Sequence, residues 1–160
     1  VKDQILEVNS ILKKIYPQFS LQTIQLDDIK QFKNNLTDSQ FNILQGTLKN
    51  RDLTFIARRE LAKVNPDHFA IGKLLNEHQA VLRDVLGIST PKIDGMITAA
   101  LNSGAYGAKI NGCGGGGCMY ADAPEDPEKV KTAIENAGGE AFIIRADSGS
   151  REETKVPMNG

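Results

Sequence analysis

Eight consecutive residues, Asn111-Gly112-Cys113-Gly114-Gly115-Gly116-Gly117-Cys118, carry five of the chain's 15 glycines and constrain the fold more than any other stretch. Glycine has no Cβ, so it takes positive φ without strain and lets backbone N–H groups close on an anion or on another backbone. Each one costs about 0.5–1 kcal/mol relative to alanine in regular structure. Four in a row therefore mark a loop whose shape matters. Its flanks, Tyr106 to Ile110 and Met119 to Ala121, read as strands, so the loop joins an antiparallel pair.

The surrounding periodicity sets the fold class. Pro127 to Ala137 reads as a helix with Val130, Ala133, Ile134 and Ala137 on one face, ended by Gly138-Gly139, and Glu140 to Ala146 reads as a third strand centred on Phe142-Ile143-Ile144. The order helix, strand, glycine turn, strand, helix, strand predicts an α+β domain: a ferredoxin-like antiparallel sheet covered by helices, with an amino-terminal helical extension. The tail from Asp147 to Gly160 is polar, with one edge strand expected near Lys155 to Met158.

The extension follows from spacings of three and four. Ile5, Leu6, Val8, Ile11, Leu12 and Ile15 mark one helix face, and Pro17 ends it. Asp27-Asp28 open a short helix through Phe32. Thr37-Asp38-Ser39 open a longer one whose stripe is Phe41, Ile43, Leu44, Leu48, Phe55, Ile56 and Leu61, with Gly46 as its weak point and Pro66 as its limit. Asn65-Pro66-Asp67 start a helix running to Gly87, and Ser89-Thr90-Pro91 start another running to Ser103-Gly104. The short link between these two predicts antiparallel packing. A single domain over 1–160 results, with a helical region over 1–65, helices and sheet over 66–147, and a tail over 148–160.

Composition narrows the function. At 160 residues and net charge −1, with no concentration of Lys and Arg, the chain lacks the electrostatic term for nucleic acid or an anionic membrane. No apolar run approaches the roughly 20 residues of a membrane span, and Val1-Lys2-Asp3-Gln4 does not begin a secretory signal, so the expectation is a cytoplasmic protein. Cys113 and Cys118, without nearby His or further Cys, fit small buried residues rather than a zinc site or a disulfide framework.

Chemistry of the glycine run has several readings. A phosphate cradle requires Gly-Lys-Ser/Thr opening a helix, and a dinucleotide fingerprint requires a helix after its last glycine. Here Cys118-Met119-Tyr120 and a strand follow, so both fail. A hairpin tip needs only one or two glycines. A loop packed closely against another lobe's ligand or phosphate loop accounts for four.

The stretch Gly107-Ala108-Lys109-Ile110-Asn111-Gly112-Cys113-Gly114-Gly115-Gly116-Gly117-Cys118 resembles the third motif of the GHMP kinases, approximately Gly-Ala-Lys/Arg-x-Thr/Ser-Gly-Ala-Gly-x-Gly-Gly-Cys. Upstream, Asn76-Glu77, Leu82-Arg83-Asp84 and Ser89-Thr90-Pro91-Lys92-Ile93-Asp94 resemble the galactokinase branch, and the likeness runs from about Arg51 to Asp147. Departures are Asn111 for Thr/Ser, Cys113 for Ala, and Gly115 for the Phe of galactokinases, the last being more like mevalonate kinases. The family His near Asn76-Glu77 falls on Gln79, with His78 one place earlier.

The resemblance implies the carboxyl-terminal lobe of an ATP- and Mg²⁺-dependent kinase that phosphorylates a small-molecule hydroxyl. It implies first a galactokinase-type sugar kinase, with a mevalonate kinase-type enzyme or a non-catalytic sugar-sensing module as alternatives. The family's ATP motif, Pro-x3-Gly-Leu-x-Ser-Ser/Ala, does not occur in these 160 residues. The resemblance therefore also implies an ATP-binding amino-terminal domain of the same protein as partner, with catalytic residues outside this chain and an isolated lobe that is inactive. Site residues carried over are Asn111 as a polar contact and Gly112, Gly114, Gly115, Gly116 and Gly117 as close-approach backbone supporting the phosphate loop and substrate; none is expected to be catalytic or to ligate metal. Lys109 alternates with Ala108 and Ile110 and is expected on a solvated face, and Arg83-Asp84 as a local ion pair or a contact to the missing lobe.

Overall fold

Capping chemistry starts most of the helices where the sequence predicts. The computed structural model describes residues 2–112 and 114–145. Helix α1 spans Lys2–Ile15, and 3₁₀ turns at Leu26–Asn35 replace the short helix expected near Asp27. Helix α2 spans Asp38–Leu61 behind a capping box, in which Thr37 Oγ1 accepts from the Gln40 N–H (3.2 Å) and Gln40 Oε1 accepts from the Thr37 N–H (3.0 Å). Helix α3 spans His68–Ala80 with Asp67 as its cap, two residues later than Asn65, because Pro66 holds the chain extended before it. Helix α4 spans Pro91–Asn102 behind Thr90, and α5 spans Pro127–Asn136 behind Asp126, each with proline at its first turn.

Three hydrophobic clusters form among the described residues, the two larger ones in opposite halves of the chain. In the amino-terminal half, Val8, Leu12, Phe19, Ile29, Phe32, Leu44 and Leu48 pack together, with Phe32 edge-on to both Tyr16 and Phe19. In the carboxyl half, Leu82, Ile93, Met96, Ile97, Ala108 and Ile110 form the second core. The stripe of α2 gives Leu44 and Leu48 to the first core, and Phe55, Ile56 and Leu61 are exposed, contrary to the expectation that they continue it. Gly46 is where α2 meets the second half: a Cβ there would lie 2.8 Å from Val85 Cγ1.

Strand β1 (Gly107–Asn111) pairs antiparallel with β2 (Cys118–Asp122), with Ala108 opposite Ala121 and Ile110 opposite Met119. Alternation puts those four on the core face above α4 and α5, and Lys109, Tyr120, Asn111 and Cys118 on the other. Among the described residues the sheet has two strands. The expected strand at Glu140 does not form over residues 140–145: Phe142 and Ile144 are 75% and 82% exposed, with no described neighbouring strand to pair with them. The edge strand near Lys155, the tail and Cys113 lie outside the described residues.

Helices α3 and α4 do not pack on each other as their short link predicts; α3 lies along the edge of β1 while α4 lies beneath its face. The cause is local. After Ala80 the helix widens into a π turn, Val81–Val85, closed by the Leu86 N–H donating to Val81 O (3.0 Å), and Gly87 then turns at φ 61°. The chain leaves α3 sideways and re-enters under the sheet.

Candidate functional site: the glycine run and its supports

Every described glycine of the run has positive φ: Gly112 91°, Gly114 80°, Gly115 75°, Gly116 134° and Gly117 89°. Residues with a Cβ rarely hold such a sequence of angles, which is why the run is glycine. Among the described residues, Gly114 is the one glycine of the run that comes this close to another part of the chain. A Cβ there would lie 2.6 Å from both Ile88 Cβ and Ile88 O, whereas ideal Cβ positions at Gly112, Gly115, Gly116 and Gly117 meet no atom of the described residues within 4 Å. Next to it the Gly115 N–H donates to Ile88 O at 2.8 Å. The run is thus docked on the α3–α4 connector, through Ile88.

Asn111 sits at the end of β1, exposed, and its side-chain amide reaches Cys118 Sγ at 3.7 Å across the base of the loop. Cys118 is exposed, not buried as expected, because the strand alternation turns it to the face away from α4. Lys109 is half-buried rather than solvated. Its ammonium donates to Ile110 O (2.6 Å) and lies 5.3 Å from the Tyr120 ring centre. Burial lowers the Lys109 pKa and raises that of Tyr120. Burial, and then the Lys109 charge, hold His78 down at about 4, so it is a neutral imidazole at pH 7. Arg83 and Asp84 satisfy each other through two bonds of 2.7 and 3.0 Å on the exposed side of the π turn.

The residues that fix the site's geometry are ones the sequence presented only as parts of a family pattern or not at all. Gly72, Asn76 and Gln79 form a stripe along α3 against the outer edge of β1. At Gly72 and Gly107 the two backbones touch: a Cβ on Gly107 would lie 2.1 Å from Gly72 O. Asn76 then donates from Nδ2 to Tyr106 O (3.0 Å) and accepts the Ala108 N–H on Oδ1 (3.1 Å). Gln79, 3% exposed, accepts the Ile110 N–H on Oε1 at 2.9 Å. Two amide side chains therefore satisfy the edge of β1 as a neighbouring strand would. The available signal was the spacing of four and three, which interrupts an apolar helix with a glycine and two amides that share one face.

The described residues thus form an α+β lobe that presents, at one end of a two-stranded sheet, a shaped loop whose described glycines all have positive φ. Residues 57–141, more than half of the chain, match the family model described as GHMP kinases C terminal. The chain belongs to the GHMP kinase family, and what it contains is that carboxyl-terminal domain. It is similar to a mevalonate kinase of Thermococcus onnurineus, 49% identical over 88 residues, covering 54% of this chain and 26% of the relative. A mevalonate kinase of Pyrococcus furiosus is 48% identical over 86 residues, and the galactokinase of Saccharomyces cerevisiae is 41% identical over 69 residues, covering 13% of that protein. The fold is similar to that of Lactococcus lactis galactokinase, solved with galactose, at a TM-score of 0.72 and 21% identity over 85% of this chain and 36% of the other. The chain spans about a quarter of the length of the mevalonate kinases it matches. No described helix is long and apolar enough to cross a membrane.

Proposed function

We propose that this domain is the carboxyl-terminal lobe of an ATP-dependent kinase that transfers the γ-phosphoryl group to a hydroxyl of a small metabolite, with the glycine run as one wall of the cleft between lobes. The observation that carries this reading is the family match together with a glycine run held at positive φ and seated on Ile88. Phosphoryl transfer relies on positioning and on charge stabilisation more than on covalent chemistry from the protein, so the shape of a supporting loop bears on rate. Asn111, Gly112, Gly114, Gly115, Gly116 and Gly117 supply that support. By the family resemblance, ATP and its Mg²⁺ are held by the other lobe, and no residue of this chain is assigned to the ion. The partner is the ATP-binding amino-terminal domain of the same protein, and this lobe alone is inactive.

Of the two acceptors, mevalonate is favoured over a sugar. Relatives 48–49% identical are mevalonate kinases, and Gly115 stands where galactokinases carry Phe. The sugar reading keeps the support of the yeast galactokinase likeness and the Leu82-Arg83-Asp84 stretch. ADP release by the full-length protein, measured against mevalonate, galactose and other hexoses, separates the two; sugar binding without turnover would indicate a sensor. In the same assay Gly114→Val, which drives a side chain into Ile88, lowers kcat at least about 100-fold while the lobe still unfolds cooperatively. Unchanged kcat/KM would reduce the loop to a connector.

A further inference from the structure

Gln79 holds both supports of the glycine run at once. Its Oε1 accepts from the Ile110 N–H (2.9 Å), two residues before the run begins. Its Nε2 donates to Ser89 Oγ (3.2 Å), and Ser89 Oγ donates onward to Asp94 Oδ1 (2.6 Å) in the first turn of α4. Ser89 follows Ile88, whose carbonyl receives the Gly115 N–H and whose side chain lies under Gly114. The connector is therefore fixed from three sides: by Gln79, by Asp94, and by the Ile88 N–H donating to Leu82 O (3.0 Å).

We propose that Gln79 is a positioning residue for the glycine run, setting through Ser89 and Asp94 the distance between the end of β1 and the Ile88 connector on which the run rests. Three physical features support this assignment. Gln79 is the only buried polar side chain of the described core, and both of its hydrogen-bonding ends are used. A buried amide is retained only where its bonds are made, since either end left unpaired is costly. Glycines at positive φ have little rotational restriction of their own, so the run takes its position from its two ends and from Ile88. One side chain reaches the first of these ends and, through one hydroxyl, the seat.

The relay extends the phosphotransfer reading but is measured separately from it. In the full-length protein, amide exchange at Gly115 reads the seat directly. Gln79→Leu and Ser89→Ala are each expected to speed that exchange about tenfold while the amides of α4 and β2 keep their protection, and Ser89→Thr, which keeps the hydroxyl, restores most of it. Should Gln79→Leu fail to fold, Ser89→Ala breaks the same relay at a half-buried position and decides the matter. Gly115 exchange within about twofold of the unaltered protein in Ser89→Ala, or a rise shared equally with α4 and β2, overturns the proposal. The activity arm is a fall in kcat with little change in KM for ATP or acceptor in the same variants. An unaltered protein without turnover defeats the kinase reading and leaves the exchange result standing; a fall in kcat without faster Gly115 exchange defeats the relay and leaves the kinase reading standing.

Discussion

Around Leu12, Leu44 and Leu48 the amino-terminal half closes on hydrocarbon and aromatic edges, whereas β1 in the carboxyl half is held along its outer edge by the amides of Asn76 and Gln79. The first kind of packing is non-directional: a cavity is penalised roughly by its volume, and neighbours relax into it. The second is directional, since each amide satisfies named backbone groups and a substitute that fills the same volume cannot. The apolar core of the helical half can therefore change sequence more freely and keep its shape. The sheet-bearing half, which carries the glycine run, fixes atoms to within a hydrogen bond.

The sharpest way to break this contrast is at the backbone contact of Gly72 and Gly107. Gly107→Val places a side chain where Gly72 O already lies, so we expect a loss of about 3 kcal/mol or more, read as a fall in the denaturant midpoint, with β1 and the glycine run losing exchange protection first. A Gly107→Val protein of unchanged midpoint would show that α3 and β1 do not depend on backbone contact. In the other half, Leu48→Ala removes a fully buried side chain at an expected cost of about 2–5 kcal/mol, without moving Gly115 exchange relative to the global rate. A selective effect at Gly115 would merge the two halves into one unit.

Acid tests the sheet side differently. His78 titrates near 4 in the folded lobe and near 6.5 when unfolded, so between those values the unfolded chain binds more protons. Stability therefore falls as pH drops from about 6.5 towards 4, and the lost part stays lost below that window. His78→Gln flattens this portion of the profile of Tm against pH; an unchanged profile would show that burial and Lys109 do not govern the imidazole. Smallest is the helix start: Thr37→Ala leaves the Gln40 N–H without its cap and costs about 1 kcal/mol, confined to the helical half. A loss of several kcal/mol there would mean that the cap organises more than α2.

Much of the element order was legible because local chemistry dictates it. Thr37 and Thr90-Pro91 are helix-start signals ahead of an apolar stripe, and both open helices here. The glycine run was legible for the same reason, since no other residue takes five positive φ angles within six positions. The third strand at Phe142 was misread because a β-rich apolar triplet states a preference, and a strand also needs a neighbour to pair with, which the described residues do not supply. Phe55, Ile56 and Leu61 share a period with Leu44 and Leu48 but extend past the first core, and periodicity carries no information about where a core ends.

The set of elements, the glycine loop and the family pattern therefore follow from local chemistry, since all of them depend on residues near one another along the chain. The seat of that loop comes from long-range packing alone. Whether Gly114 approaches anything, whether Gln79 is a buried link or a surface amide, and whether α3 pairs with α4 or with the edge of β1 all depend on contacts across 10 to 35 residues, set by the π turn and by Gly87. Hydrogen-bonding capacity is written in the residue type; its partner is chosen by the fold, because a buried amide binds whichever backbone groups the packing brings within 3 Å.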